Sequence, residues 1–293
     1  MNAAVDIQAL IDDIVERTKR VEGVRAIALG GSRARGSHTS KSDIDLCFYY
    51  LPEDGLDLEA LDRVAAELDD RGQPGVLTPI GGWGPWVNGG GWLAVRGQAV
   101  DLLYRDLRRV REVIEACRRG RVDVVYQPGH PHAFVSAIYM AEVALCKPQW
   151  DADGCLSALR QTTFPYPPAL KAALLEKFSW EAPFALETAR KAADRADVAY
   201  AAGSCFRAVM CLLQTVFALN EEYWMNEKGA VALAGAFAVR PPRLRERVEE
   251  AFTLLTADGE SIRAGIAVLE ALQRDMAACV TRGSDNPGSA VGL

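Results

Sequence analysis

Histidine is scarce in this 293-residue chain, which holds only His38, His130 and His132. Its seven cysteines are odd in number, and no two stand in a Cys-x-x-Cys spacing. A zinc site is therefore not expected. Most of the cysteines sit in apolar surroundings and read as small core residues of a reducing compartment. Positive charge is in deficit: 33 Lys and Arg against 39 Asp and Glu leave a formal net charge of -6. Proteins that live on duplex nucleic acid carry a basic surface, so this balance argues against DNA or long RNA as the main partner. A long apolar run is missing too. The most apolar stretch, Ala208 to Leu219, falls short of the roughly 20 residues that span a bilayer. Asn220, Glu221 and Glu222 follow it at once. The first twenty residues mix acidic and basic side chains and lack the apolar core of a leader peptide. The expectation is a cytoplasmic protein with no membrane partner. No internal repeat is visible.

What is present is ordinary globular material, 49% hydrophobic and 25% charged, the balance of a folded domain. At about 150 residues per domain the length suggests two. Val5, Leu10, Ile14 and Val21 follow a helical period, and Gly23 ends it. VRAIALGG (24–31) reads as a buried strand, SRARGSHTSKS (32–42) as a polar loop with room for one helical turn, and DIDLCFYY (43–50) as a second strand. Leu58, Leu61, Val64 and Leu68 mark a helix. GGWGPWVNGGGW (81–92) is too rich in glycine for a helix. LAVRGQAVDLLY (93–104) reads as a hairpin around Arg96-Gly97, and 105–120 as a helix. From His132 to Gly283 helical periods dominate and strand signals disappear. The helix holding Phe206 to Phe217 is apolar nearly all round, as in the centre of a bundle. The boundaries expected are 1–128, 129–283 and a disordered tail at 284–293.

One arrangement carries chemistry. Gly30, Gly31 and Ser32 close the first strand, and ten residues, Arg33 to Ser42, separate them from Asp43. Asp43 and Asp45, two apart on a strand, project to one side about 7 Å from each other. Two such carboxylates repel unless a cation lies between them. Oxygen ligands suit magnesium, which takes substrate phosphates and water to complete its shell. The glycines let the backbone approach a phosphate, and their N–H groups with the Ser32 hydroxyl can hold it. Arg33 and Arg35 add cationic donors. Asp101, flanked by Val100, Leu102 and Leu103, is costly in an apolar strand without a partner. It is the natural third carboxylate for a second metal ion.

The segment GGSRARGSHTSKSDIDL resembles the signature of the DNA polymerase beta-like nucleotidyltransferase superfamily. GQAVDLLYRD resembles its third-carboxylate strand. The layout is similar to the two-domain aminoglycoside and lincosamide nucleotidyltransferases. The resemblance implies an α+β chain: an N-terminal α/β catalytic domain with a small mixed sheet, then an all-α helical bundle. It implies that Gly31 and Ser32 bind a nucleoside triphosphate, that Asp43 and Asp45 bind two Mg2+ ions, and that Asp101 binds one of them. The reaction implied is transfer of a nucleoside monophosphate, expected to be AMP, to a hydroxyl of a small molecule with release of pyrophosphate. An antibiotic acceptor belongs to that layout. An acceptor on a partner protein or tRNA, as in toxin–antitoxin pairs, is the alternative. A non-catalytic nucleotide sensor is the alternative of another class. The oligomeric state is not legible.

Weaker signals surround this set. By the same resemblance, Lys228 is expected on the triphosphate and Tyr223 near the base. Arg207, inside the most apolar helix, needs an anionic partner, and Glu142 is a candidate. Trp83, Trp86 and Trp92 suggest a stackable wall for a ring. Glu142 is also a candidate base for the acceptor hydroxyl. His130 and His132 read as surface linker residues. The arginines at 105, 108, 109, 111, 118 and 119, interleaved with acidic residues, read as a solvated helix face.

Overall fold

The structure is a computed structural model that describes residues 6–284; beyond Ser284 the expected tail lies outside the described residues. The chain forms two compact units. The first runs to Cys117 and adds Asp123–Gly129 and Ala133–Pro165. The second takes Arg118–Val122, His130–His132 and the chain from Tyr166 onward.

In order, the first unit holds α1 (Ile7–Thr18), β1 (Val24–Leu29), α2 (Gly31–Arg35), β2 (Ile44–Tyr50), α3 (Leu58–Leu68), β3 (Gly90–Val95) and β4 (Gln98–Asp106). Then come α4 (Leu107–Arg118), β5 (Val124–Val125), β6 (Phe134–Val135), α5 (Ile138–Leu145), β7 (Lys147–Asp151) and α6 (Cys155–Gln161). Five strands form one mixed sheet in the order β3-β4-β2-β1-β7. β2 and β4 run parallel, and the other neighbours are antiparallel. Alternation along β2 sets the two faces. Ile44, Leu46 and Phe48 are buried with Leu10, Ile11 and Ile14 of α1 and Leu61 and Ala65 of α3. Burial of each large side chain there contributes roughly 1.5–3 kcal/mol. Asp45, Cys47 and Tyr49 belong to the other face.

Local chemistry fixes the ends of these elements. Asp6 caps α1 by accepting from the amides of Gln8 and Ala9, and Asp57 caps α3 through Ala60. The β3–β4 hairpin turns on Arg96 and Gly97, both with positive φ, the conformation that matches strand twist. The Asp70 carboxylate accepts from both turn amides at 2.8 Å.

The sequence reading expected helices alone after His132. Instead, β7 lies antiparallel to β1, with Ala28 opposite Pro148. Lys-Pro-Gln-Trp-Asp shows no apolar alternation because it is an edge strand, where polar residues and proline are tolerated. With α5 and α6, β7 joins the first unit rather than a helical half beginning at 129.

The second unit contains α7 (Pro168–Ser179), α8 (Glu181–Ala193), α9 (Val198–Leu219), α10 (Ala230–Ala234), α11 (Leu244–Thr253) and α12 (Gly259–Ser284). α9 is long and apolar enough to cross a membrane by composition. It is the unit's core helix instead, with every residue from Ala208 to Leu219 buried.

Candidate active site

The sheet face opposite α1 and α3 carries a row of polar positions. Asp45 on β2 is the direct partner of Asp101 on β4, and Asp101 is the direct partner of Trp92 on β3. On the far side of Asp45, its carbonyl accepts the Gly30 amide at 2.8 Å. Residues directly opposite in a sheet share a face, and neighbouring strands lie about 4.8 Å apart. The order across the face is therefore Gly30, Asp45, Asp101, Trp92. Asp43 is exposed and sits one residue ahead of β2 rather than on it.

Gly31 begins α2 with φ +59°, a conformation that glycine adopts without strain. A Cβ there would stand 1.8 Å from Oδ2 of Asp45. The Asp45 carboxylate thus packs directly against the Gly31 backbone, and no side chain fits between them. Ser32 follows in the same turn, and Arg35 ends it. Arg33 has a different task from the one expected. It is 8% exposed, and its Nε and Nη2 donate to the carbonyls of Asp43 and Ser42 at 2.9 and 2.6 Å. The guanidinium ties the returning loop to the turn. Sequence reasoning missed a cation here: Lys147 of β7 donates from Nζ to the Arg33 carbonyl at 3.5 Å.

Among the described residues no three His, Cys, Asp or Glu side chains are gathered as a ready-made metal cluster. The donor set still fits a hard divalent cation. Asp45 and Asp101 offer neighbouring oxygens on one face, and such an ion completes its shell with substrate phosphates and water.

Residues 11–78 match the family described as a nucleotidyltransferase domain. That stretch is a nucleotidyltransferase domain within the first unit. The matched stretch contains Gly31, Ser32, Asp43 and Asp45 and ends before Asp101. A nucleoside triphosphate substrate and nucleotidyl transfer come with the family. A crystal structure of a nucleotidyltransferase-like protein from Exiguobacterium sibiricum 255-15 is similar at 14% identity and a TM-score of 0.43, covering 94% of this chain and 77% of that one. Among curated proteins none matches.

The face beyond the carboxylates is closed by α5. Arg105, the partner of Tyr49 on β4, is 2% exposed. Its Nε and Nη2 donate to the two Glu142 oxygens at 3.0 and 2.8 Å, and its guanidinium lies 5.6 Å from the Tyr139 ring centre. Burial works against the Arg105 charge, but the Glu142 carboxylate outweighs it and raises the pKa above its ordinary value. Arg105 is therefore a buried strand residue, not part of a solvated helix face. Glu142 is committed to it rather than to Arg207. Burial pushes the neighbouring Cys47 thiol up to about 12, so it is inert as a nucleophile near neutral pH.

The tryptophans divide. Trp92 is 64% exposed and stacks on Trp83 with ring centres 4.6 Å apart. Trp86 does not join that wall. It is buried against Phe134 and Tyr139, with the Arg109 guanidinium 4.5 Å from its ring centre.

Tyr223 and Lys228 belong to the second unit. Tyr223 is buried beside Tyr166, ring centres 4.8 Å apart. Lys228 is exposed, and its amide donates to Asn226 Oδ1. The acid partner of Arg207 is Glu181, at 2.5 Å. Arg207 Nη1 also reaches the His132 carbonyl and lies 2.9 Å from its Nδ1. His132 is thus no surface linker residue: it is 5% exposed. Burial and the Arg207 charge lower its pKa to about 3.

Proposed function

We propose that this chain is a magnesium-dependent nucleotidyltransferase that moves a nucleoside monophosphate, AMP by expectation, onto a hydroxyl of a small molecule and releases pyrophosphate. The observation that carries the reading is the Gly31–Asp45–Asp101 alignment: a backbone turn with no side chain, pressed on one carboxylate and one strand away from the second. The turn amides and the Ser32 hydroxyl donate to the triphosphate oxygens, and Lys147 and Arg35 add positive charge beside it. Arg33 holds the 42–43 backbone so that Asp43 stays near its partners. Asp43, Asp45 and Asp101 are the oxygen ligands for divalent cations. Bound there, such ions neutralise the triphosphate and lower the pKa of the acceptor hydroxyl. The residues supply fixed charge and position, the main contributions in phosphoryl chemistry.

The test uses nucleoside triphosphates labelled at the α-phosphate, with Mg2+ and a fractionated pool of small hydroxylated metabolites, cell protein or tRNA. Label entering a small molecule with matching pyrophosphate supports the reading. Label entering protein or tRNA moves the acceptor to a macromolecule. Binding of the triphosphate without pyrophosphate release from any pool makes the chain a sensor.

A further inference from the structure

In the second unit, one side of α8 and its two ends carries an ordered exposed stripe. Trp180, Phe184, Glu187, Arg190, Lys191 and Asp194 are all exposed. Their spacing keeps them within about a third of the helix circumference. Trp180 and Phe184 are 60% and 58% exposed, with ring centres 5.8 Å apart. The buried side of α8 consists of alanines and Leu186, so the aromatic pair adds nothing to the unit's own core. Exposed aromatics gathered in one place mark an interaction surface.

The stripe has two unlike halves. Its N-terminal half is aromatic and its C-terminal half is charged, with Glu187 at the middle. Arg190 is fixed in place: its Nη1 lies 2.8 Å from Glu187 and its Nη2 lies 2.6 Å from Glu270 of α12. Bonds to the guanidinium nitrogens lie near its plane, which leaves the flat faces open to a ring. Asp194 keeps most of its side chain in solvent, with Arg263 of α12 at 3.4 Å. A face with aromatics at one end and their natural complements at the other suits a copy of itself, turned end for end.

We propose that this face of α8 pairs with the same face of a second copy of the chain, antiparallel, with the two-fold axis at Glu187. In that register Phe184 meets Arg190 of the second copy, ring on guanidinium. Trp180 meets Asp194 of the second copy, whose carboxylate accepts the indole N–H. The two Glu187 side chains meet at the axis, each balanced by the Arg190 beside it. An anionic membrane is the weaker occupant, because Glu187 and Asp194 would face its headgroups. The four aromatics offer roughly 350–600 Å² of exposed side chain, below the about 1,200 Å² of a tight complex. The dimer is therefore weak, with a Kd on the order of 10 µM. The proposal draws nothing from the nucleotidyl-transfer reading and stands or falls apart from it.

Sedimentation velocity on the full chain, from about 1 to 200 µM, reads the association. Wild type should pass from monomer to dimer over that range. Phe184→Lys sets a cation against Arg190 and should weaken the dimer at least about tenfold, whereas Phe184→Tyr keeps the ring and should leave it near wild type. Cross-linking under mild oxidation reads the register without relying on those variants. Glu187→Cys should form a disulfide with itself across the axis, and Asp194→Cys, which faces position 180, should not exceed the wild-type background. A wild type that stays monomeric throughout overturns the proposal, and if it binds phosphatidylglycerol vesicles the face belongs to a membrane instead. A dimer that is equally tight in Phe184→Lys, or Glu187→Cys that does not cross-link, overturns it as well.

Discussion

Gly31→Ala is a one-carbon change with a large expected effect. The added Cβ would lie 1.8 Å from Asp45 Oδ2, where ordinary contact begins near 3.4 Å. Either the carboxylate or the turn must yield by about 1.6 Å. Misplacing a catalytic group by about 1 Å costs on the order of 10²-fold in rate. Pyrophosphate release from Mg·NTP should therefore fall at least 100-fold. The positive φ adds about 1–3 kcal/mol of backbone strain for any residue with a Cβ, so the midpoint of chemical denaturation should fall as well. A double-mutant cycle separates the two effects. In an Asp45→Ala background the nearest side-chain atom at 45 is the Cβ, 3.3 Å away. There the clash disappears and only the strain remains. Gly31→Ala should then cost less stability than it does beside Asp45. Near-normal turnover in Gly31→Ala, or equal costs in both backgrounds, would refute the close packing on which the site is built.

Two other perturbations probe groups whose structural task differs from the one expected. Glu142→Ala should destabilise the fold by about 3–5 kcal/mol, because it leaves the Arg105 charge buried and unpaired. Glu142→Met with Arg105→Met should recover much of that loss in urea denaturation. A Glu142→Gln variant of normal stability but with turnover reduced a thousandfold would instead make Glu142 a catalytic base. His132 titrates near 6.5 when unfolded and near 3 when folded. Its contribution to stability is therefore complete above about pH 6.5 and is lost as pH falls toward 3, by about 1.4 kcal/mol per pH unit. His132→Asn keeps an acceptor near Arg207 and cannot titrate. Urea midpoints of wild type and variant should diverge below pH 6.5, and parallel curves would contradict the assignment.

The carboxylates and the glycine turn were legible because their chemistry is local. Gly30-Gly31-Ser32, Asp43 and Asp45 lie on consecutive elements, and an aspartate between Val100 and Leu102 is conspicuous. The Arg96-Gly97 turn was legible for the same reason. Register was not. Nothing along the chain says that Asp101 lies opposite Asp45, because β2 and β4 run parallel and α3 and β3 intervene. β7 escaped notice because an edge strand carries no apolar alternation. The arginines were the hardest to sort. Arg33, Arg105 and Arg207 look alike in sequence, yet one ties backbone carbonyls, one is itself buried and holds the half-buried Glu142 of α5, and one pairs with Glu181 and His132. Which carbonyl or carboxylate each meets is decided by tertiary packing.

The most direct test of the central claim is transfer of label from α-phosphate-labelled NTP by wild type and by Asp43→Asn, with folding of each checked by denaturation. Wild type should move the label to a small hydroxylated acceptor with one pyrophosphate released per transfer. Asp43→Asn should keep the same denaturation midpoint and lose the transfer. Undiminished transfer by a folded Asp43→Asn protein would contradict the account.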